Sequence, residues 1–161
     1  MAELTTAQVW EEIEKNLFAV LGMVTPNGEA RTVGIVYNVQ DRKIYIGSKT
    51  DAWKVRHIAQ NPHVSLTVPI VKRVPFMPWL KIPSATITFS GTAQVMEPAA
   101  VDPDALRALY HGMAEDEVTL ATTRVIVIEP KGDFVTFGVG VRLLQMRNPK
   151  LARGRAPVLD D

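Results

Sequence analysis

The chain of 161 residues contains no cysteine. Disulfides, thiolate metal sites and a cysteine nucleophile are therefore excluded. Histidine is nearly as scarce. His57, His63 and His111 lie in different segments, and none has a second ligand at metal-binding spacing such as H-E-x-x-H. Neither sign of charge is in excess, because 18 Lys and Arg against 17 Asp and Glu leave a formal net charge of +1. With no basic, aromatic-lined strand face either, no nucleic-acid partner is expected. No apolar run approaches the ~20 residues that span a bilayer. The first residues, MAELTTAQVWEEIEK, are acidic and polar, unlike a basic-then-apolar signal peptide. No membrane role and a cytoplasmic location are expected. The sequence also lacks a serine nucleophile elbow, a Walker lysine and a G-x-G-x-x-G after a strand. Any redox or transfer chemistry then belongs to a bound cofactor, with the protein supplying orientation and electrostatics.

What is present is ordinary for a globular domain: 47% apolar and 22% charged residues, in a chain long enough for a real core. Thr5 and Thr6 precede Val9, Ile13 and Leu17, a helical stripe with Trp10 beside it, and either threonine can cap this helix. Residues 17–24 (LFAVLGMV) read as a strand, Thr25-Pro26-Asn27-Gly28 as a turn, and residues 30–39 as the returning strand. Gln40-Asp41-Arg42-Lys43 is a second hairpin turn leading to Ile44-Tyr45-Ile46. Residues 63–68 form another strand. The segment 69–83 carries four prolines, which forbid a continuous helix or central strand, yet Phe76, Met77, Trp79, Leu80 and Ile82 call for burial. Residues 84–96 alternate as a long strand with Gly91 a candidate bulge. A helix is expected within 98–113, capped by Asp102, entered at Pro103 and presenting Leu106, Leu109, Tyr110 and Met113 on one face. The acidic run Glu115-Asp116-Glu117 reads as a solvated loop. Residues 125–128 and 134–141 are strands separated by a turn at 129–133. The basic segment with Arg142, Arg147, Lys150, Arg153 and Arg155 reads as a solvated tail, the alternatives being an anion contact or packing across a partner. Many strands in short hairpins with helices at the edges make the fold mainly β with peripheral helices, a small β-barrel.

The chemistry concentrates in residues 44–62, IYIGSKTDAWKVRHIAQNP. A strand runs into the turn Gly47-Ser48-Lys49-Thr50-Asp51, and Ala52, Val55, Ile58 and Ala59 then repeat as a short amphipathic helix. Thr50 or Asp51 is its expected N-cap. Free N–H groups at a helix start attract an anion, and Lys49, Lys54 and Arg56 add positive charge. If the preceding hairpin pairs throughout its length, Arg31 and Thr32 lie beside residues 44–48. Arg31 then joins Lys54 around one phosphate, arginine as a bidentate fork and lysine as a point charge.

These residues resemble the pyridoxamine 5'-phosphate oxidase-like superfamily of flavin-binding split barrels. The resemblance rests on G-E-A-R-T-V-G-I-V at 28–36, I-Y-I-G-S-K-T at 44–50 and W-K-V-R-H-I-A-Q-N-P at 53–62. It implies a six-stranded antiparallel split β-barrel over residues 1–141, with 142–161 a C-terminal basic extension of the same domain. It further implies a homodimer with FMN at the subunit interface, and an oxidoreductase that passes hydride between the flavin and a small-molecule substrate. Arg31 and Lys54 fall where the family grips the FMN phosphate. Thr32, Val33, Ile46, Gly47 and Ser48 fall on the strand ends lining the flavin, with Lys49 and Thr50 beside them and Trp53 next to the lysine. The chain departs from the true oxidases at Ala52 and Trp53, where they carry a serine–arginine pair, so a vitamin B6 substrate is not implied. The T-D-A-W-K-V-R-H-I spacing is similar to a branch that takes either FMN or the deazaflavin F420. An F420-dependent reductase and a flavin-binding protein without turnover are the alternatives. A haem-binding variant ranks last, since no histidine stands out as a ligand.

Overall fold

A computed structural model of the chain describes residues 2–71, 84–114 and 116–159. Most of the proline-rich segment, 72–83, lies outside the described residues. The elements in chain order are β1 (Ala2–Glu3), α1 (Thr6–Glu14), β2 (Phe18–Val24), β3 (Ala30–Val36), β4 (Asn38–Gln40) and β5 (Lys43–Lys49). They continue with α2 (Trp53–Gln60), β6 (His63–Ile70), β7 (Ala85–Met96), α3 (Pro103–Tyr110), α4 (Glu117–Thr122), β8 (Thr123–Phe137), α5 (Pro149–Ala152) and β9 (Arg153–Pro157).

The described strands form one curled sheet in the order β1-β9-β8-β7-β6-β2-β3, with β5 also on β8 and β4 on β5. This is the mainly β, antiparallel split barrel with peripheral helices. It has nine strands where six were expected, the additions being the short β1, β4 and β9. The turn at 25–28 forms as expected. Gly28 takes φ 82°, and the Thr25 hydroxyl accepts the N–H of Glu29 at 3.1 Å. The second hairpin turn puts both Asp41 (φ 48°) and Arg42 (φ 57°) in the left-handed region, as a tight two-residue hairpin demands.

Four expectations need correction. First, β8 is continuous through 129–133. Its edge is held by β5 up to Ile128 and by β9 from Asp133, so Pro130 falls between the two partners, where a missing N–H breaks no ladder on that side. The strand stops at Phe137 because Gly138 and Gly140 turn with φ 70° and 67°. Second, the bulge lies between Thr88 and Ser90; at Gly91 an added Cβ would stand 2.8 Å from the Glu129 carbonyl oxygen, so this glycine serves close packing. Third, residues 153–157 form a sheet strand and not a solvated tail. Arg153 and Arg155 remain exposed, but Gly154 and Ala156 are buried, and β9 pairs with both β8 and β1. Fourth, Asp116 is not in a plain loop: its carboxylate accepts the Thr119 N–H at 2.7 Å and starts α4.

One core fills the barrel. Leu21, Ile44, Ile46, Leu66, Ile87, Ile126, Ile128 and Phe134 point inward from successive strands, and Val9, Trp10 and Ile13 of α1 and Val55 and Ile58 of α2 close it. The Trp10, Phe134 and Phe89 rings meet edge-to-face at 5.3 and 5.4 Å. Helix α1 starts in a capping box between Thr5 and Gln8 and is tied across the sheet. Thr6 Oγ1 donates to the Pro157 carbonyl at 2.7 Å, and Trp10 Nε1 donates to the Val158 carbonyl at 3.1 Å.

Tyr37, between β3 and β4, is buried and donates its hydroxyl to the Ile13 carbonyl at 2.7 Å. Burial pushes its phenol well above the usual range. The stability it lends is complete below the unfolded phenol value near pH 10 and is lost as pH rises toward the folded value. Tyr37→Phe is expected to cost about 1 kcal/mol at neutral pH, read as a lower urea midpoint with unchanged slope. The variant should also lose less stability than the parent between pH 9 and about pH 11.

Candidate functional site

Alternation along β5 turns Ile44, Ile46 and Ser48 to the barrel interior and Tyr45, Gly47 and Lys49 outward. The outer face is covered by α3. Ala105, Leu106, Leu109 and Tyr110 pack with Tyr45, Val101 and Val125 in a second, smaller apolar cluster. The helix starts where the sequence indicates. The Asp102 carboxylate accepts the N–H groups of Asp104 and Ala105 at 2.9 and 3.2 Å, and Pro103 follows. Gln40 Nε2 also donates to Asp102 at 3.0 Å, which fastens α3 to β4. That bond, with the two backbone donors, holds the Asp102 carboxyl below its ordinary range. The helix ends at Tyr110, because His111 adopts φ 50° and ψ −127°. Met113 consequently leaves the apolar face and is 57% exposed.

Between the end of β5 and α3 lies a cleft of about 320 Å³, lined by Val36, Gly47, Ser48, Lys49, Leu109, Tyr110 and Thr123. Lys49 also borders a neighbouring cleft of about 510 Å³ with Thr50, Asp51, Ala121 and Thr122. The Tyr110 ring rests on Gly47, where an added Cβ would lie 3.1 Å from Cε1 and 3.3 Å from the hydroxyl oxygen. The space that Gly47 leaves open is thus filled by this chain's own tyrosine. Ser48 Oγ and the Tyr110 hydroxyl are both shut off from solvent and have no hydrogen-bond partner among the described residues. Buried polar atoms are nearly always paired, so two orphans at the end of β5, Ser48 on its inner face and Tyr110 on its outer one, are notable.

The cations are arranged differently from the sequence expectation. β3 does not run beside residues 44–48. The chain breaks at the buried Tyr37, and only β4 pairs there, Asn38 with Tyr45 and Gln40 with Lys43. Arg31 sits opposite Met23 on β2, is exposed, and forms an ion pair with Glu29 at 3.3 Å. Arg31 and Thr32 line a separate groove of about 440 Å³ with Gly22, His63, Ser65 and Ser90. Val33 packs against the core. Lys54 stands in the first turn of α2, which packs on β2, the strand that carries Arg31's ladder partner Met23. Neither the Lys49 nor the Lys54 ammonium group has a hydrogen-bond or ion-pair partner among the described residues. The N-cap of α2 is Ala52, without a side-chain bond. Neither Thr50 nor Asp51 fills that role, because the Thr50 N–H is drawn to the Thr122 carbonyl at 3.0 Å. Trp53 is 39% exposed, its ring 5.4 Å from that of His57.

Three site residues escaped the sequence reading. Arg124 pairs across from Ser48 in the β5–β8 ladder and donates to the Thr50 hydroxyl at 3.4 Å and the Thr123 carbonyl at 2.8 Å. It also forms an ion pair with Glu97 at 3.5 Å. Thr123 and Tyr110 line the cleft itself. Tyr110 was legible as a member of an apolar helix face, but nothing in spacing links it to Gly47, 63 positions away.

A family model described as pyridoxamine 5'-phosphate oxidase matches residues 5–133. No curated protein sequence matches the chain. Among solved structures, the fold is similar to HutZ, the haem storage protein of Vibrio cholerae, at 14% identity and TM-score 0.64, covering 82% of this chain and 94% of that one. It is also similar to an F420 reductase at 19% identity and TM-score 0.55, with coverages of 83% and 98%. General stress protein 26 of Bacillus anthracis gives 17% identity and TM-score 0.55, with coverages of 82% and 91%.

Because its hydroxyl has no partner among the described residues, Ser48→Ala is expected to leave the ligand-free protein within about 0.5 kcal/mol of the parent in urea unfolding. Removing a properly bonded buried hydroxyl would instead cost about 1–3 kcal/mol. Gly47→Val should destabilise by about 1–3 kcal/mol, since its side chain must displace the Tyr110 ring.

Proposed function

The chain belongs to the pyridoxamine 5'-phosphate oxidase family, and from that membership we propose that it is a flavin-dependent oxidoreductase working as a homodimer on a small molecule. The observation that carries the reading is the solvent-excluded Ser48 hydroxyl at the end of β5, with the Lys49 and Lys54 ammonium groups on either side of the following turn, none of which has a partner among the described residues. An orphan acceptor and donor beside unneutralised positive charge fits a phosphate-bearing ligand with polar groups along its length. FMN is such a molecule, and when bound it supplies hydride-exchange chemistry that needs no dedicated acid–base residue of the protein.

In this reading Arg31 and Lys54 hold the phosphate. Release of Arg31 from Glu29 costs little, because an exposed ion pair of this kind is worth about 0–1 kcal/mol. Thr32, Ser48, Lys49 and Thr50 orient the rest of the ligand through hydroxyl and ammonium groups, with Val33 and Ile46 behind them as the apolar backing of the strands. Arg124 keeps Thr50 in place. The second subunit would cover the outer face of β2 and β3. There Phe18 and Val36 face each other across the ladder, 48% and 68% exposed, on the same side as Thr32 and Gly34.

The test is FMN titration followed by flavin fluorescence. Replacing Arg31 and Lys54 together by alanine removes two charge-assisted contacts, and affinity is expected to fall by about 100-fold. Unchanged affinity would refute the assignment. A parallel titration with F420 decides between the two cofactors, the true one binding more tightly by at least severalfold.

A further inference from the structure

We propose that a pocket bounded by α3, α4 and the end of β7 binds a small monocarboxylic acid with an apolar body, and that the Nε–Nη2 edge of Arg124 holds its carboxylate. The pocket has a volume of about 270 Å³. Pro98, Ala99, Leu106 and Leu120 are apolar members of its lining, and the charged ones are Arg124 and Glu97. None of the apolar four is among the residues assigned to the flavin, so occupancy here does not depend on that reading. Arg124 is well shielded for a cation. Its side chain is 26% exposed, whereas those of Lys15, Arg31, Arg107 and Arg155, in their own ion pairs, are 56–66% exposed. Nη1 is fully used, donating to the Thr50 hydroxyl and the Thr123 carbonyl. The Nε–H and both N–H groups of Nη2 make no hydrogen bond with any described residue, and Nη2 has only the ion pair with Glu97 at 3.5 Å. Along that edge a guanidinium presents two parallel N–H groups, the geometry that takes both oxygens of one carboxylate.

Glu97 holds the place of the ligand's carboxylate. Its side chain is 73% exposed and has no other partner among the described residues, so it can turn into water when a better-placed anion arrives. Giving up such a contact costs only about 0–1 kcal/mol. One fork and no second cation in the lining suit a single negative charge, and a phosphate would ask for more. The apolar part of the ligand is argued from α4. This helix has six residues and buries none of its side chains. So short a helix is not stable by itself. Its ends are held by polar bonds, the Asp116 carboxylate accepting the Thr119 N–H and the Thr122 and Thr123 hydroxyls donating to the Val118 and Thr119 carbonyls. Its one half-buried large apolar side chain is Leu120, which lines the pocket, while Val118 is exposed. A ring or short branched chain seated against Leu120 and Leu106 supplies the burial that α4 lacks. The volume lies just below that of typical drug-sized sites, which limits the body to about one ring.

The test is titration of the full flavin-free chain with benzoate and with 3-methylbutanoate, followed by calorimetry and by the amide and methyl resonances of residues 97–99, 106, 120 and 124. At least one of the two should bind and shift those resonances. Benzamide and acetate, which lack the charge and the apolar body respectively, should each bind at least about tenfold more weakly. Arg124→Gln should weaken the acid by about 10- to 100-fold, the loss of charge-assisted hydrogen bonds. Glu97→Gln leaves Arg124 in place and removes the competing anion, so the acid should bind it about threefold more tightly. That opposite sign keeps the test open should Arg124→Gln fail to fold. The inference is overturned if neither acid binds, if benzamide or acetate matches the acid, or if Glu97→Gln binds the acid no more tightly than the parent. It is equally overturned if the shifted resonances lie elsewhere in the chain. None of these outcomes bears on the FMN titration, which stands or fails separately.

Discussion

Strand β8 is the constraint on which the rest of the structure depends. Over its fifteen residues it holds β7 along one edge and, along the other, two strands in succession, β5 on its first half and β9 on its second. The cleft exists because of the first arrangement. β5 is carried on β8 to its last residue, Lys49, so that Gly47 and Ser48 are held on a hydrogen-bonded strand while β3, on the far side, turns away at Tyr37. The C-terminal segment is ordered by the second arrangement, because β9 has no other antiparallel partner among the described residues. A strand that is shared in this way couples the cleft end of the barrel to the end that locks α1.

The hydrophobic pattern made most of this barrel readable. The alternation in residues 17–24, 30–39 and 84–96, and the turn chemistry of Asn27-Gly28 and Asp41-Arg42, depend on contacts between near neighbours. The Asp102-Pro103 start of α3 is local in the same sense. What could not be read depended on distant partners. Pro130 looks like a breaker until the gap between β5 and β9 is known, and residues 153–157 look like a basic tail until β8 is there to receive them. The alternation of buried Gly154 and Ala156 with exposed Arg153 and Arg155 was present in the sequence, but five residues with no apolar side chain larger than alanine or proline carry a weak strand signal.

The site was legible to a different degree. Residues 47–54 stood out because they join a strand, a hydroxyl-rich turn and a helix start with two lysines, all within eight positions. The break at Tyr37 was not visible, since a tyrosine belongs as readily in a continuous strand as at its end, and what stops the strand is a hydrogen bond to Ile13, 24 residues earlier. Arg31 was therefore placed beside the wrong neighbour. Arg124 and Tyr110 enter the site through sheet register and helix packing, which only the fold supplies. Family membership is shown by a match over residues 5–133, but one fold can host many chemistries, so the residues around Ser48 must carry the functional reading.

The ties from α1 to the carbonyls of Pro157 and Val158 span 151 and 148 positions of the chain. Contacts of that separation are the last that a folding polypeptide can close, because the entropy of the intervening loop must be met before the bond forms. The barrel strands, joined by short hairpins, can assemble first, leaving the Trp10 indole waiting for a lock that arrives only with β9. A chain cut before residue 153 would retain every hairpin described here and still leave α1 to fray from the core. Folding of this barrel should accordingly end with the docking of its first helix.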